Sequence, residues 1–289
     1  MTFSFDNRLK LAVPKKGRLY ESCLELLRGA DIKFSKKSRL DIANCTNLPI
    51  SLIFLPAKDI PVYVADGSIH AGITGSDMVL ESQLSSKIKT ELNLGFGQCR
   101  LVVQVPESSS LTINDLHKKK IVTSFPNTVK NYFANELKLE IDCRYVSGSV
   151  EIACELGLAE AICDLVESGD TMKAAGLKEL HTIHSSEFQL ISNPLLPNKD
   201  LLELLISRIQ GVIDAKKYVY CTYNVSRDNL QKARQITPGR KAPTISPLEN
   251  ENWVSVSVMI QKQSQGVVMD DLIKIGASDI LIFDIHNCR

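Results

Sequence analysis

The sequence predicts an α/β protein with a smaller α+β unit at its C-terminal end. Up to about residue 213, short apolar runs typical of buried strands alternate with amphipathic helical segments. From Tyr218 onwards, alternating half-exposed strands and two helices follow in the order β-α-β-β-α-β, which is typical of a ferredoxin-like unit. A chain of 289 residues, of which 44% are hydrophobic, is long enough to build both cores.

The first part of the chain contains three predicted strands and two predicted helices. Each strand is a short apolar run, and each helix is closed by a glycine, which readily ends a helix because it accepts a positive φ. The strands are residues 9–13, 51–55 and 69–74. The helices start at Leu19 and at the capping residue Asp59, and they end at Gly29 and Gly67.

Two loops of this part follow a strand and precede a helix. The first is the basic loop of residues 14–18, and the second is the small-residue turn of residues 75–77. Backbone N–H groups at such positions can receive an anion, so both loops are candidate anion sites. The alternatives are a solvated basic loop, and an Asp77 that only stabilises the first turn of its helix.

Residues 99–146 predict further strand and helix steps, with Pro126 in the first turn of the second helix. The strands are residues 99–105, 121–125 and 142–146, and the helices are residues 111–120 and 127–138. Arg100, Ser124 and Phe125 stand at strand ends, where side chains can face a cleft. A packing role is the alternative for Phe125.

Residues 149–177 form the segment around which the rest of the chain is arranged. The segment predicts a helix from Ser149 to Gly157, a strand at residues 161–166, a turn at residues 167–171 and a helix that ends at Gly176. The strand is apolar except for Asp164, which suits a strand buried on both faces. An acid in such a run calls for a functional explanation.

The turn after this acidic strand predicts a phosphate site. A Ser-Gly-Asp-Thr turn that opens a helix presents unpaired backbone N–H groups and two hydroxyls, and the helix dipole adds positive potential. Glu151 and Asp164 flank the turn, and carboxylates accept hydrogen bonds from sugar hydroxyls or hold Mg²⁺ through water. Phosphate beside such acids indicates a phosphorylated ribose. The alternative is an ordinary turn whose Ser and Thr only cap the helix.

The end of this region predicts a return to the first lobe. Residues 182–191 form a predicted strand, and Asp200 is a candidate cap of a long amphipathic helix. Two lobes joined by more than one crossing resemble the type II periplasmic-binding-protein architecture, whose clefts close on small anions. The predicted divisions are lobe I at residues 1–96 and 184–213, lobe II at residues 97–183, and a C-terminal domain at residues 214–289.

Charge and composition exclude other classes of protein. The formal net charge is +1, without a long run of like charge, which argues against nucleic acid or an anionic membrane as the main partner. There is no apolar stretch near ~18 residues and no signal-peptide core, so the protein is expected to be soluble and cytoplasmic.

The eight cysteines are scattered without a C-x-x-C pair, and most are expected to be small core residues. His181 and His184 are the only closely spaced histidines. Neither a zinc site nor a Cys-His catalytic pair is therefore expected.

Three stretches resemble a known family. The longest lies within residues 149–177 and matches, in order and spacing, the signature of ATP phosphoribosyltransferase, the enzyme that opens histidine biosynthesis. The matching residues are Glu151, Gly157, Ala159, Ile162, Asp164, Leu165, Ser168, Gly169, Thr171 and Met172. The pattern P-x-K-G-R-L from Pro14 and the pattern D-I-P-x-Y-V-x-x-G-x-x-x-x-G-I-T-G-x-D from Asp59 are also similar to the family.

The resemblance implies a substrate for each part of the site. In the family the turn after the acidic strand binds the 5-phosphate of phosphoribosyl pyrophosphate, which implies Asp164, Leu165, Val166, Glu167, Ser168, Gly169, Asp170 and Thr171. The loops on the other side face ATP, which implies Lys16, Gly17, Arg18, Thr74, Gly75, Asp77 and Arg100. Glu151 and Asp164 lie near the ribose hydroxyls and are the candidate catalytic residues.

Mg²⁺ is the cofactor that the resemblance implies. It is expected to bind mainly through the substrate phosphates rather than at a dedicated protein site. Glu151 and Asp164 are the candidate protein ligands.

The chain departs from the family pattern just before Asp59. Relatives commonly carry an Arg two or three residues earlier, where Pro56 and Ala57 stand here. If that Arg binds a phosphate, Lys58 or another residue must replace it.

The C-terminal part is similar to the regulatory domain of the long form of this family. The segments I-T-P-G and A-P-T-I-S-P-L are its hallmarks, and in the family the domain binds histidine as a feedback inhibitor. The implied inhibitor contacts are Thr222, Ala242, Thr244, Ser246 and Leu248. Some relatives have an acid near position 222, where this chain has Thr222. The alternative is a module used only for oligomerisation; a homodimer and a homohexamer are the expected assemblies.

The implied reaction is phosphoribosyl transfer to N1 of the adenine of ATP. That nitrogen is unprotonated at neutral pH, so catalysis is expected from orientation and from stabilising the departing pyrophosphate, without a covalent intermediate and with inversion at C1. Two alternatives stay open, a non-catalytic two-lobed ligand sensor and a phosphoribosyltransferase that acts on a free base.

Overall fold

The computed structural model of the chain describes residues 8–17, 19–36, 40–195 and 199–289. The strands are, in chain order, β1 Leu9–Pro14, β2 Ile42–Asn44, β3 Ile50–Leu55, β4 Ala71–Gly75, β5 Lys89–Asn93, β6 Cys99–Pro106, β7 Lys120–Thr123, β8 Asp142–Tyr145, β9 Ala161–Val166, β10 Leu177–Ser186, β11 Phe188–Ser192, β12 Tyr218–Ser226, β13 Thr244–Pro247, β14 Trp253–Gln261 and β15 Ser278–Asp284. The helices are α1 Leu19–Gly29, α2 Ile60–Ala65, α3 Ser76–Glu81, α4 Pro126–Tyr132, α5 Asp170–Ala174, α6 Lys199–Lys217, α7 Leu230–Ile236 and α8 Gln265–Lys274.

The described part of the chain divides into two compact units. The first comprises the described residues within the bounds Met1–Leu24 and Lys33–Leu202, and the second comprises Glu25–Ile32 and Glu203–Arg289. The domain and lobe limits that we derived from the sequence stay predictions.

Two mixed sheets build the first unit. One has six strands in the order β2-β3-β1-β4-β11-β5, with β1 parallel to β3 and β4, and β11 antiparallel to β4 and β5. The other has five strands in the order β10-β6-β9-β7-β8, with β9 antiparallel to β6 and parallel to β7. We name the six-stranded sheet with its helices lobe I and the five-stranded sheet with its helices lobe II.

The chain passes between the lobes from β5 to β6 and again from β10 to β11. A polar contact also joins them, because the Glu81 carboxylate at the end of α3 accepts hydrogen bonds from the backbone N–H groups of Asn127 at 3.0 Å and Thr128 at 2.9 Å. Glu81 thus satisfies N–H groups in the first turn of α4 that the helix cannot pair itself. The predicted two-lobed α/β fold is confirmed.

The second unit contains an antiparallel sheet in the order β13-β14-β12-β15. One face is a continuous apolar row, in which Val254, Val256 and Val258 of β14 are buried under α7 and α8. This strand order with two helices on one face is the ferredoxin-like arrangement that the sequence predicts, and that prediction is confirmed.

The helix predicted from Ser149 to Gly157 is wrong. Ser149 has φ 48°, a single 3₁₀ turn covers Val150–Ile152, and Gly157 has φ 68°. The segment buries Val150 but exposes 63% of Leu156. A short segment that includes β-branched residues and buries little apolar surface cannot offset the cost of starting a helix.

The single strand predicted at residues 182–191 is also wrong, because β10 and β11 belong to different sheets. Glu187 separates them where the chain returns to lobe I. The sequence runs through this point without a glycine or a proline, so periodicity alone cannot locate the crossing.

Two of the predicted helices are shorter than the sequence indicates. Within residues 111–120 only the 3₁₀ turn Ile113–Leu116 forms, since Lys120 already pairs with Asp142 at the start of β7. Beyond α4, the segment Phe133–Leu137 is a wider π turn.

Candidate active site

The carboxyl end of β9, the turn that follows it and the start of α5 line a cavity of about 190 Å³. The structure brings together at this cavity every residue that we assigned to phosphoribosyl pyrophosphate, together with Glu151 from the 3₁₀ turn. The lining residues are Cys99, Gln104, Glu151, Asp164, Leu165, Val166, Glu167, Ser168, Gly169, Asp170, Thr171 and Met172.

The turn itself depends on Gly169. This residue has φ 88° and ψ 3° and immediately precedes α5. A residue with a left-handed backbone conformation at this point directs the chain from β9 into α5. The first N–H groups of α5 have no partners within the helix. The turn therefore presents main-chain donors and the positive end of a short helix dipole to one side of the cavity.

The side chains of the turn pair partly with each other. The Ser168 hydroxyl donates to Asp170 Oδ2 at 2.7 Å, which holds the turn in shape without a ligand. Thr171 follows in α5 and is exposed. Main-chain amides are thus the donors best placed for an anion, with the hydroxyls of Ser168 and Thr171 beside them.

Asp164 is a carboxylate in an unfavourable place. It lies half-buried opposite Val102 of β6, and its Oδ1 accepts the N–H of Leu165 at 2.8 Å. Burial raises the pKa of Asp164, and the negative charge of Glu151 raises it further, against the lowering effect of the Leu165 N–H. Two nearby carboxylates at a cavity would be stabilised by hydroxyl donors or by a cation.

The Asp164→Asn variant is expected to melt at a higher temperature than the parent chain at neutral pH. The folded-state pKa of Asp164 lies above the unfolded-state value of about 3.9, so ionising this carboxyl lowers the free energy of unfolding. This loss of stability is absent below the unfolded-state pKa. It grows as pH rises towards the folded-state pKa and is complete above the folded-state pKa. The gain should therefore shrink as pH falls from neutrality through the raised folded-state pKa towards the unfolded-state value of about 3.9. Thermal melts of both proteins across this range test the point, and a gain that grew with acidification would contradict it.

A second cavity of about 510 Å³ adjoins the first and shares Cys99, Val166 and Glu167 with it. Arg100, assigned to ATP from the sequence, lines this second cavity. Its guanidinium donates to Glu179 Oε1 at 2.6 Å, and this bond lowers the pKa of the Glu179 carboxyl. Arg100 is therefore an oriented cation beside the carboxylate site.

Thr74 and Asp77 already have partners inside the protein. Thr74 is fully buried and donates to the carbonyl of Ala57 at 3.0 Å. Asp77 is 5% exposed; its Oδ1 accepts the Ser186 hydroxyl at 2.7 Å, and its N–H donates to Ser186 Oγ at 3.1 Å. These bonds tie the start of α3 to the end of β10, next to the crossing. Gly75, the last residue of β4, immediately precedes α3.

The basic loop after β1 lies elsewhere on lobe I. Lys16 is exposed, Gly17 has φ 97°, and the neighbouring Lys15 pairs with Asp41 at 2.7 Å. Arg18 lies outside the described residues. Neither cavity is lined by Lys16 or Gly17, so the ATP assignments on this loop stay predictions, as do those at residues 74, 75 and 77.

Sequence reasoning missed Gln104, which lines the cavity beside Asp164. Its signal was nevertheless present in the sequence. Gln104 interrupts the apolar run of β6 as Asp164 interrupts that of β9, and a polar residue inside a buried strand asks for a partner.

The inhibitor contacts predicted in the second unit lie partly together. Thr222 of β12 pairs with Ser257 of β14, which pairs with Thr244 of β13, and the Thr222 and Ser257 hydroxyls are 3.1 Å apart. These side chains point to the sheet face that lies away from the helices. Ser246, two residues after Thr244, points to the same face. Ala242 and Leu248 flank this short strand.

Another cavity of the second unit, of about 260 Å³, was not predicted. Its lining includes residues 236–240, Tyr218 and Met259. Of the predicted inhibitor contacts, none lines it. Those contacts stay predictions.

Within residues 8–17, 19–36, 40–195 and 199–289, no group of three or more His, Cys, Asp or Glu side chains could hold a metal ion. In the same residues, no helix has the length and apolar character that crossing a bilayer requires. The cysteines, all of which are described, form no disulfide, and burial raises the pKa of Cys23 to about 12.

The fold and the site first define a class of protein. The first unit is a two-lobed α/β domain of the type II periplasmic-binding-protein kind. Its fold matches that of Tv2483 bound to L-arginine, with a TM-score of 0.51, 12% identity, and coverage of 72% of this chain and 86% of the other. A likeness at this identity concerns the fold alone.

The sequence comparisons then give the family. A family described as ATP phosphoribosyltransferase matches residues 56–211, and one described as the HisG C-terminal domain matches residues 215–287. Proteins named ATP phosphoribosyltransferase from Debaryomyces hansenii and Saccharomyces cerevisiae are 50% and 47% identical, each with coverage of 98% of this chain and 97% of the relative. The chain belongs to the ATP phosphoribosyltransferase family.

A solved structure supports the same assignment. It is the ATP phosphoribosyl transferase HisG:HisZ complex from Thermotoga maritima, with a TM-score of 0.64, 26% identity, and coverage of 71% of this chain and 98% of that chain. The match to the C-terminal family identifies the long form. The resemblance stated from the sequence is confirmed, and the chain is a pentosyl-transferring enzyme.

Proposed function

We propose that this chain transfers the 5-phosphoribosyl group of phosphoribosyl pyrophosphate to N1 of the adenine of ATP, with release of pyrophosphate, as the first step of histidine biosynthesis. The observation that carries the proposal is the cavity in which the turn of residues 167–171 meets the carboxylates of Glu151 and Asp164. An anion-binding turn and hydroxyl acceptors at one cavity suit a phosphorylated sugar.

The turn and the two carboxylates of the cavity bind different parts of the substrate. Main-chain N–H groups of the turn hold the 5-phosphate, while Asp164 and Glu151 accept hydrogen bonds from the ribose hydroxyls and orient C1. As positive charge builds on the ribose ring, the same carboxylates stabilise it. The adenine N1 attacks from the face opposite the departing pyrophosphate, so C1 is inverted and no covalent enzyme intermediate forms.

Mg²⁺ fits this site on chemical grounds. Glu151 and Asp164 offer the hard oxygen ligands that Mg²⁺ prefers, and the raised pKa of Asp164 reflects a carboxylate that a cation would stabilise. When bound with the substrate phosphates, Mg²⁺ supplies charge neutralisation of the pyrophosphate.

The proposed reaction is tested by mixing the protein with ATP, Mg²⁺ and phosphoribosyl pyrophosphate and measuring pyrophosphate release. We expect release that depends on all three additions. Adenine in place of ATP should give no turnover, and turnover with adenine would instead support a free-base enzyme. Tight ligand binding without any turnover would support the two-lobed sensor.

The proposal extends to regulation and location. Histidine would inhibit by binding the face that carries Thr222, Thr244 and Ser246, where hydroxyl acceptors and donors are concentrated. A homodimer and a homohexamer are the proposed assemblies. A cytoplasmic location agrees with cysteines that form no disulfide, since a reducing compartment keeps thiols reduced.

The variant Thr244→Val is expected to need about tenfold more histidine for half-inhibition, because one hydrogen bond to the ligand is lost. Its uninhibited rate should match that of the parent. The matched control Thr90→Val makes the same exchange at an exposed threonine of β5, outside the second unit, and should change neither quantity. Activity and particle size are followed together during a histidine titration. Equal sensitivity of all three proteins would contradict the proposed inhibitor face.

A further inference from the structure

Gln104 is a polar residue at the centre of an apolar strand. It lies in β6 opposite Ile162 of β9 and Glu179 of β10, two positions from the Val102–Asp164 pair. Directly opposed residues point to the same sheet face, and so do residues two apart along a strand. Gln104 and Asp164 therefore point to the same side of the sheet, and both line the 190 Å³ cavity.

The surroundings of Gln104 on that face are largely apolar. Ile162 and Leu177 are buried there, and Met172 of α5 packs against them. Gln104 is only 2% exposed, so most of its side chain is sealed by these neighbours. A carboxamide in such a position is stable only if its polar atoms find partners.

The open side of the carboxamide is the cavity. Among the residues that the structure describes, none forms a hydrogen bond with the side-chain amide of Gln104, and yet the amide atoms are not fully sealed from solvent. The amide nitrogen and oxygen must therefore face open space. The cavity that Gln104 lines is that space.

We propose that Gln104 is a substrate-binding residue whose carboxamide N–H donates to an oxygen of the phosphoribosyl group from the floor of the cavity. The inference rests on the proposed function, because it takes phosphoribosyl pyrophosphate as the occupant.

The chemistry of the neighbours assigns the donor role. Asp164 and Glu151 are acceptors when ionised and can only receive hydrogen bonds, whereas the substrate carries anionic oxygens that need donors. A glutamine supplies two N–H donors without adding charge beside the two carboxylates. A glutamate of the same shape would instead place a third negative charge against the substrate phosphate.

The test compares Gln104→Met with the parent chain in steady-state assays. Methionine keeps the length of the side chain and removes its polar atoms. We expect the KM for phosphoribosyl pyrophosphate to rise about 10- to 100-fold, as for loss of a hydrogen bond to a charged group, while the KM for ATP changes little. Gln104→Glu should raise the same KM more, because repulsion adds to the lost donor.

The matched control is Gln210→Met in α6, the same exchange at a half-buried glutamine outside this cavity. It should leave both KM values at those of the parent. Thermal melts accompany every assay, since a residue needed only for packing lowers the melting temperature without separating the two KM values.

The outcomes distinguish the two claims. If the parent turns over and Asp164→Ala does not, but Gln104→Met and Gln104→Glu both keep the parental KM for phosphoribosyl pyrophosphate, the role of Gln104 is wrong and the proposed function stands. If the parent shows no turnover with this substrate, the proposed function fails first. Should Gln104→Met not fold, Gln104→Glu, which keeps the shape of glutamine, decides the point alone.

Discussion

Asp164→Asn is expected to lower kcat/KM for phosphoribosyl pyrophosphate by about 10²- to 10³-fold in a protein that remains fully folded. Asparagine keeps the size of the side chain and an oxygen that can accept the Leu165 N–H. The substitution removes the carboxylate charge, which would strengthen the hydrogen bonds accepted from the ribose hydroxyls and stabilise positive charge on the ring. Asp164→Ala should abolish turnover with the fold equally intact.

The physical reason for expecting a functional loss without a structural one is the cost of this carboxylate. Burial raises the pKa of Asp164, and Glu151 adds to the effect, so its charge weakens the folded state. A side chain that destabilises its own strand is retained most simply because the reaction needs it.

Asp142→Asn is the matched control for this variant. Asp142 lies in the same lobe, at the start of β8, and its carboxylate pairs with Arg144 at 2.7 Å. The substitution should leave kcat/KM at the parental value. Full activity of Asp164→Asn, measured beside this control, would contradict the assignment of Asp164.

Gly169→Val is expected to raise the KM for phosphoribosyl pyrophosphate more than tenfold and to lower kcat/KM about 10²-fold. At φ 88° a β-branched residue is strained by more than the ~1–2 kcal/mol that an ordinary L-residue costs in the left-handed region. The space around the position is not the obstacle, since an added Cβ would lie 3.7 Å from Met172 Cε. The backbone must move instead, and the N–H groups of the turn would no longer converge on one phosphate.

Gly176→Val separates this effect from strain alone. Gly176 has φ 63°, lies at the other end of α5 and has open space where a Cβ would be added. Valine there should lower the melting temperature by a similar amount and leave the KM unchanged. Equal KM values for the two glycine variants would show that the turn does not bind the substrate through its main chain.

Much of the fold follows from local pattern. The strands β1, β3, β6 and β9 are short, mainly apolar runs, which is the pattern of a buried strand, and each was predicted within about two residues. The turn of residues 167–171 was predictable for a different reason, because Ser, Gly and Thr at that spacing suit a main-chain anion site.

The errors in the fold arise where tertiary contacts decide. The segment from Ser149 to Gly157 has the periodicity of a helix, yet its end faces solvent and the helix is not formed. The crossing at Glu187 is invisible locally, because its neighbours in lobe I and lobe II come from distant parts of the chain.

The site was predictable from charge more than from burial. Asp164 stood out as an acid in an apolar strand, whereas the neutral Gln104 in the equivalent setting of β6 did not, although the structure places both at one cavity. Conversely, Asp77 resembled a ligand-binding acid in the sequence, and only the structure reveals its buried partner Ser186. Such long-range partners cannot be read from spacing along the chain.

The most direct measurement is a crystal structure of the protein with phosphoribosyl pyrophosphate and Mg²⁺. We expect the 5-phosphate to lie against the main-chain N–H groups of the turn of residues 167–171, with the ribose hydroxyls within hydrogen-bonding distance of Asp164 and Glu151. A structure in which that turn binds nothing, while the substrate occupies another part of the protein, would contradict this expectation.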